Sequence, residues 1–263
     1  RRNASSIRCS YHGRCFDRRG RVTRSPGFET PETLEPLPSV AVGRWGPLVF
    51  ASLNGDLPFE RWLAGPLERL EFLQMDTWRF TERTVYDVDA HWSLYVENYL
   101  EGLHIPFVHP GLARTVDWRS YHHVLHAQGN LQIAEQSTTP TGPVFCLPDD
   151  HPDAGRPVSA YYFWLFPTTM LNIYPWGLSL NIVEPLGRDR TRVVFESFVG
   201  DSSLRSQGAG SALDEVERED EAVVASVHRG MQSHLFRPGR LSSPHEACVE
   251  QFRRLLGGTK VDP

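Results

Sequence analysis

Between Asn130 and Val199 the chain passes through a succession of short apolar runs, "NLQIAEQ", "YYFWLFP", "TMLNIYP", "LSLNIVEP" and "RTRVVFESFV". Each has the length of a strand, is rich in β-branched and aromatic residues, and is bounded by turn residues. The most apolar stretch, "AYYFWLFPTTMLNIYPWGLSLNIV", is interrupted by Pro167 and Pro175 and by Thr, Asn and Ser, so it reads as successive strands and not as a membrane span. "PLGRDRT" has the composition of a hairpin turn. Strands joined this tightly pair antiparallel, and every other element must fit around the sheet they make. Upstream, Trp78, Phe80, Tyr86 and Val88 share one parity, the period-2 mark of another half-buried strand.

The helices are few. "GAGSALDEVEREDEAVVASVHRGMQS" opens with Ser211 and Asp214 in capping-box spacing and is expected to stay helical to about Ser233. "SPHEACVEQFRRLLGG" places Ser243 as cap, Pro244 in the first turn, Glu246 completing the box and Gly257 as the stop. A third helix is expected over residues 94–105. A large antiparallel sheet with few, long helices is the α+β class. Residues 1–57 differ in texture: Gly, Pro and Arg are frequent, pieces such as "RWGPLVFASL" are strand-like, and "DRRGR", "RSPG" and "LNGD" are turn signals. They are expected to form a small β domain or part of one, ahead of a larger domain over 58–263.

With 40% apolar and 22% charged residues the chain is globular, and a net charge of −5 gives no reason to expect nucleic acid or an anionic membrane as partner. Cys9, Cys15, Cys146 and Cys248 have irregular spacing and make no disulfide framework, which points to the cytoplasm. The first residue is not Met, no apolar run follows Arg1–Arg2, and "RRNASSIRCSYHG" offers no helix or strand start. The sequence therefore reads as a piece whose N-terminus lies upstream.

Chemistry concentrates in "ENYLEGLHIPFVHPGL", residues 97–112. Glu101 and His104, three apart, share a face if the helix reaches 105. His109 lies five residues beyond His104, roughly 140° away on a regular helix, so the two imidazoles converge only if the chain turns. Pro106 disfavours helix at Ile105 and is expected to turn it. The plainer alternative is a helix end with two incidental histidines. A third donor is sought on the 211–233 helix, where Val216, Val223, Val227 and Met231 form an apolar stripe. Asp220 falls within that stripe, while Glu219, Glu221 and Asp214 project elsewhere. A carboxylate on a buried face needs a positive partner, either a metal ion or a core Arg. Two His and one carboxylate with open positions is the donor set of non-haem Fe(II) sites, and three ligands with an open position also suit a zinc hydrolase. At the start, "CSYHG" gives Cys9-x-x-His12, half of a Rieske-type [2Fe–2S] ligand set or, taken alone, half of a zinc site.

These segments together resemble one family. "CSYHGRCFDRRGRV" is similar to the second half of a Rieske motif. "HWSLYVENYLEGLHIPFVHPGL" resembles the iron motif of Rieske non-haem iron oxygenases, the α subunits of ring-hydroxylating dioxygenases and their monooxygenase relatives. The two C-terminal helical segments resemble the closing helices of the choline-monooxygenase-like branch. The resemblance implies a Rieske domain over 1–57, present here only in its C-terminal part, and a helix-grip catalytic domain over 58–263. It implies Cys9 and His12 as cluster ligands, His104, His109 and Asp220 as ligands of a mononuclear Fe(II), and Glu101 as the acidic bridge between subunits of a homotrimer; Asn98 falls where Asn is common. It further implies O₂ and a small organic substrate, an aromatic ring or a quaternary amine, with electrons from NAD(P)H through a ferredoxin or a flavin reductase. The chain departs from the pattern in lacking the first Cys-x-His pair and in carrying Ser10 and Arg14. A rival from another class is a helix-grip ligand-binding protein that keeps the pocket without redox chemistry. Tyr162, Trp164, Tyr174 and Trp176 are expected in the core or on the sheet face, with a quaternary-ammonium cage as the alternative. His122, His123, His126, His151, His228, His234 and His245 are expected to be surface or structural, and Cys15, Cys146 and Cys248 buried or inert thiols.

Overall fold

The apolar runs of the middle of the chain pair as their spacing demands. A computed structural model describes residues 5–114, 116–117, 121–136, 142–242 and 245–257. The chain divides into two compact units, Arg1–Arg44 with Val49–Leu57, and Trp45–Leu48 with Pro58–Pro263. In the first unit β1 (Ser6–Arg8), β2 (Cys15–Asp17) and β3 (Val22–Arg24) form an antiparallel sheet in that order. A strand at Ser6–Arg8 corrects the expectation that the opening segment has no element of its own: it is exposed and carries no apolar pattern, and its pairing with β2 makes it a strand. β4 (Ala41–Trp45) and β5 (Leu48–Ser52) form a two-stranded pair around Gly46, which has φ +53°.

The second unit begins with two short helices, α1 (Phe59–Trp62) and α2 (Ala64–Arg69), followed by β6 (Arg79–Val88), α3 (Trp92–Tyr99) and α4 (Ile105–Val108). Then come β7 (His122–His126), β8 (Gly129–Glu135), β9 (Val158–Leu165), β10 (Thr169–Tyr174), β11 (Gly177–Pro185) and β12 (Thr191–Val199), and finally α5 (Leu213–Met231) and α6 (Ala247–Leu256). Seven strands form one antiparallel sheet in the order β6-β12-β11-β10-β9-β8-β7. Sequence neighbours from β7 to β12 are neighbours in space, a meander closed by β6 at the far edge. This is the large antiparallel sheet with few helices expected of the α+β class. β7, "HHVLH", is exposed at His122, His123 and Leu125 and carries no strand signal in the sequence.

One face of the sheet carries α3, α5 and α6. Tyr95, Val96 and Leu100 of the α3 segment, Val224 of α5 and Val249 and Phe252 of α6 pack with Trp164, Met170, Val193 and Phe195 of the strands. Phe252 is fully buried and meets Trp164 and Trp92 edge-to-face, with ring centroids 5.3 Å and 5.8 Å away. Phe252→Ala is expected to lower stability by about 3–5 kcal/mol, read as a lower urea midpoint; a loss under about 1 kcal/mol would contradict this packing. Polar side chains tie the same face together. Asn130 donates to Gln251 of α6 (3.0 Å), Gln132 donates to the Tyr99 carbonyl (2.7 Å), and the Tyr99 hydroxyl donates to Asn172 (2.7 Å). These bonds cross from strand to helix and fix the helices in register on the strands.

Both C-terminal helices form, though their starts differ from expectation. α5 begins at Leu213 with no side-chain cap, because Ser211 donates to the Gly208 carbonyl and Asp214 is engaged by Tyr86 (2.9 Å) and Arg218 (3.1 Å). Ser243 and Pro244 lie outside the described residues. Glu246 accepts from the Ser242 amide at 2.6 Å immediately before α6, which stops at Leu256 ahead of Gly257.

Candidate metal centre

The centre is built from α3, α4 and α5. α3 ends at Tyr99, short of the expected 105, and the chain turns through Glu101–Leu103. Pro106 therefore does not break a long helix; it sits in the first turn of the short α4, where a missing N–H costs nothing. His104 is the N-cap of α4 and His109 its C-cap. This resolves the angular problem of their five-residue spacing. The imidazoles flank a single helical turn and approach with centroids 5.1 Å apart and planes at 79°.

On α5, Asp220 faces inward, but the expected stripe is rotated. Glu217 and Val224 are the buried residues, while Val227 and Met231 are 47% and 41% exposed. The reason lies in the opposing helix. α3 presents Tyr95 and Asn98, one turn apart, to Glu217 and Asp220, also one turn apart. The Tyr95 hydroxyl donates to Glu217 Oε2 at 2.6 Å and Asn98 Nδ2 donates to Asp220 Oδ1 at 2.6 Å. Polar rungs thus occupy a helix face that an apolar wheel would assign to hydrocarbon.

His104, His109 and Asp220 converge. One ligand atom from each lies within 4.8 Å of the other two. Asp220 Oδ1 is 3.0 Å from His109 Nε2 and 3.7 Å from His104 Nε2. Two donors bound at right angles to one ion at about 2.1 Å sit about 3.0 Å apart, so the donor set fits a single divalent cation. Each imidazole is held from behind. His104 Nδ1 donates to Glu101 Oε1 at 2.6 Å, and the other Glu101 oxygen accepts from the backbone N–H groups of Leu103 and His104. His109 Nδ1 donates to Glu219 Oε2 at 2.7 Å. A carboxylate behind each ring fixes the tautomer that turns Nε2 toward a metal. Burial opposes charging His109, which is 1% exposed, but the hydrogen bonds and charges of Asp220 and Glu219 outweigh it and raise its pKa above that of an ordinary imidazole.

Glu219 corrects the expectation that it projects away from the site. It lies beside Asp220 on the helix, and only the approach of α4 to α5 brings His109 to it. Glu219→Ala is expected to weaken Fe(II) binding 10- to 100-fold, measured by equilibrium titration; unchanged affinity would show the His109 contact to be incidental.

Beside the three donors lies a cavity of about 230 Å³. Tyr99, Tyr121, Tyr162 and Tyr174 line it, and their rings form a chain about Tyr162, with centroids 6.4 Å, 6.3 Å and 5.9 Å from its own. Burial pushes the Tyr162 hydroxyl up to about 12 and raises the other three well above the ordinary phenol range, so all four are neutral phenols. Gly210, with φ +80°, lies against Tyr174; an added Cβ would come 2.8 Å from the ring, so glycine keeps this wall in place. Trp164 and Trp176 are fully buried in the core, as expected of them, while Tyr162 and Tyr174 face the cavity. Five carboxylates also line it, Glu101, Glu215, Glu217, Glu219 and Asp220, and among the described residues no Lys or Arg does.

In the first unit, Cys9 and His12 occupy one exposed turn between β1 and β2, where the Gly13 amide donates to the Cys9 carbonyl at 3.1 Å. Backbone amides of Tyr11 and His12 lower the Cys9 thiol below its ordinary range. Cys248 is the reverse, pushed up to about 12 by burial. Cys146 is exposed and not buried. In native, cluster-free protein an aromatic disulfide reagent at pH 8 is expected to modify Cys9 and Cys146 and to spare Cys248 until unfolding. Rapid modification of Cys248 would contradict its burial.

Residues 75–257 match the family described as ring hydroxylating alpha subunit (catalytic domain). The chain is 26% identical over 268 residues to the chloroplastic choline monooxygenase of Spinacia oleracea, covering 95% of this chain and 58% of that protein. It is 29% identical over 193 residues to the carnitine monooxygenase oxygenase subunit of Escherichia coli K12, covering 68% and 48%. Its fold superimposes on a quaternary ammonium Rieske monooxygenase with a TM-score of 0.75 at 24% identity, over 98% of this chain and 72% of that one. For a naphthalene 1,2-dioxygenase from Rhodococcus the score is 0.68 at 19% identity, over 97% and 75%. The chain thus spans about half the length of the curated relatives it matches.

Proposed function

The chain belongs to the ring-hydroxylating α subunit family, and on that premise we propose that it is the catalytic part of a Rieske-type oxygenase acting on a small quaternary amine. The carboxylate-rich, tyrosine-lined cavity carries this choice of substrate over a neutral aromatic ring. A quaternary ammonium cannot donate a hydrogen bond, so it is recognised by π faces and negative charge, both of which the cavity offers. The net reaction is R–H + O₂ + 2e⁻ + 2H⁺ → R–OH + H₂O.

His104, His109 and Asp220 would hold Fe(II), which supplies the activation of dioxygen when bound. The remaining work belongs to the chain. Glu101 and Glu219 orient the two imidazoles, and Asn98 orients the carboxylate. The tyrosines surround the alkylammonium group and displace water from the reacting C–H bond. Cys9 and His12 would supply one ligand pair of a Rieske [2Fe–2S] cluster; the lowered Cys9 thiol suits a thiolate ligand. In a homotrimer Glu101 would join His104 to His12 of the partner subunit, a short bonded route for electrons drawn from NAD(P)H through a ferredoxin or a flavin reductase. Free cysteines suit a reducing compartment such as the cytoplasm, and no helix among the described residues is long and apolar enough to cross a membrane.

The test offers the full-length protein, with reductase, NAD(P)H and O₂, a panel of quaternary amines and neutral aromatics. Amine-dependent O₂ uptake with a matching yield of hydroxylated product is expected. Turnover of aromatics alone would overturn the substrate assignment, and no product from either would overturn the oxygenase reading.

A further inference from the structure

Of the two cavity-lining carboxylates that neither the three donors nor the groups behind them employ, Glu215 is exposed and Glu217 is buried. Glu217 is 3% exposed, yet it makes a single hydrogen bond, accepting from Tyr95 at Oε2. Its other oxygen, Oε1, is buried and has no hydrogen-bond partner among the described residues. A buried carboxylate oxygen left unpaired costs stability, and such groups persist where a ligand completes them. The surroundings define what is missing. No Lys or Arg lines the cavity among the described residues, and the charges that act on Glu217 are those of Asp220, Glu221 and Asp214, all of the same sign. Burial and these like charges hold the Glu217 carboxyl above its usual range in the empty cavity; a neutral substrate would leave it so, whereas a fixed cation would draw it to its charged form.

We infer that Glu217 is the specificity-determining residue of the cavity: its unpaired Oε1 is the counter-charge for the positively charged headgroup of the substrate, in the cavity that the tyrosines line. The inference rests on the quaternary-amine reading above and deepens it by assigning the selection of a cation over its neutral isostere to one side chain. Tyr95 is a positioning residue in this arrangement. Its hydroxyl holds Oε2 from α3, so the other oxygen keeps its place without a second protein partner. The tyrosine rings bind the methyl groups of a cation and of a neutral tert-butyl group alike, so shape alone discriminates poorly. The carboxylate supplies the difference.

The test compares equilibrium binding of choline and of its uncharged isostere, 3,3-dimethylbutan-1-ol, to iron-loaded wild-type protein and to Glu217→Gln. The substitution keeps the volume and an oxygen for Tyr95 and removes the charge. Wild-type protein is expected to prefer choline, and Glu217→Gln to bind choline at least tenfold more weakly while its affinity for the neutral alcohol and its iron content stay the same. Equal choline binding by the two proteins would overturn the assignment to Glu217, and so would a parallel loss of both ligands, the mark of a merely structural role. Wild-type protein that binds both ligands equally, or neither, would instead sink the quaternary-amine reading and this inference with it. Tyr95→Phe provides a second check, with a smaller loss confined to choline.

Discussion

Asp220→Ala is expected to leave the protein folded, with less than a tenth of the wild-type iron and with turnover lower by about 10³-fold or more. Removing this side chain takes away one of three donors and the group that Asn98 Nδ2 and both Nε2 atoms face. About 4 kcal/mol of lost transition-state stabilisation corresponds to 10³-fold, within what a bound cation contributes to such reactions. Stability should change little, because relieved repulsion offsets the lost hydrogen bonds to Asn98 and His109. In the metal-free protein Asp220 shares its helix face with buried Glu217 and contributes to holding the Glu217 carboxyl above its usual range, so deleting the charge relieves repulsion. An iron-poor variant with an unfolding midpoint close to that of wild type separates loss of a ligand from loss of the fold. Wild-type iron content and turnover in Asp220→Ala would end the metal assignment.

Glu101→Gln is expected to have the second largest effect, by a different route. One Glu101 oxygen accepts from His104 Nδ1, and the other accepts from the Leu103 and His104 amides at the start of α4. A glutamine can meet only one side of this arrangement, because its NH₂ group turned toward those amides opposes donor to donor. The negative charge that would link His104 to the partner subunit's His12 is lost as well. Turnover driven by NAD(P)H and reductase should fall by about 10²-fold. Hydrogen peroxide carries both its oxygen and its electrons, R–H + H₂O₂ → R–OH + H₂O, so it bypasses electron delivery. Peroxide-driven hydroxylation by Glu101→Gln should therefore fall far less than the NAD(P)H-driven reaction. Equal losses in the two assays would reduce Glu101 to a loop-capping residue.

The sheet was legible in the sequence because its strands are apolar, short and punctuated, so that β8 to β12 follow from pattern alone. β7 was not, since "HHVLH" at the sheet edge needs no apolar face. His104, His109 and Asp220 were readable as candidates, though for reasons the structure amends. The histidines converge because α3 ends at Tyr99 and a fresh helical turn begins at Ile105 between them, not because a proline breaks one long helix. Asp220 faces inward on a helix face that is polar where a stripe of Val216, Val223, Val227 and Met231 was expected. Glu219 and Glu217 stayed hidden for the same reason. A helical wheel weighs hydrophobicity and does not see that α3 opposes α5 with a tyrosine and an asparagine. The four tyrosines of the cavity come from α3, β9, β10 and the loop before β7, and only the sheet register brings them together.

The account stands most directly on where iron binds. Crystals of the protein loaded with Fe(II) under anaerobic conditions, measured on either side of the iron absorption edge, would locate the ion by anomalous scattering. The account predicts one strong peak in the catalytic unit, within bonding distance of Nε2 of His104, Nε2 of His109 and a carboxylate oxygen of Asp220. A well-ordered map with no peak among these three side chains, or with iron held by other residues of that unit, would contradict it.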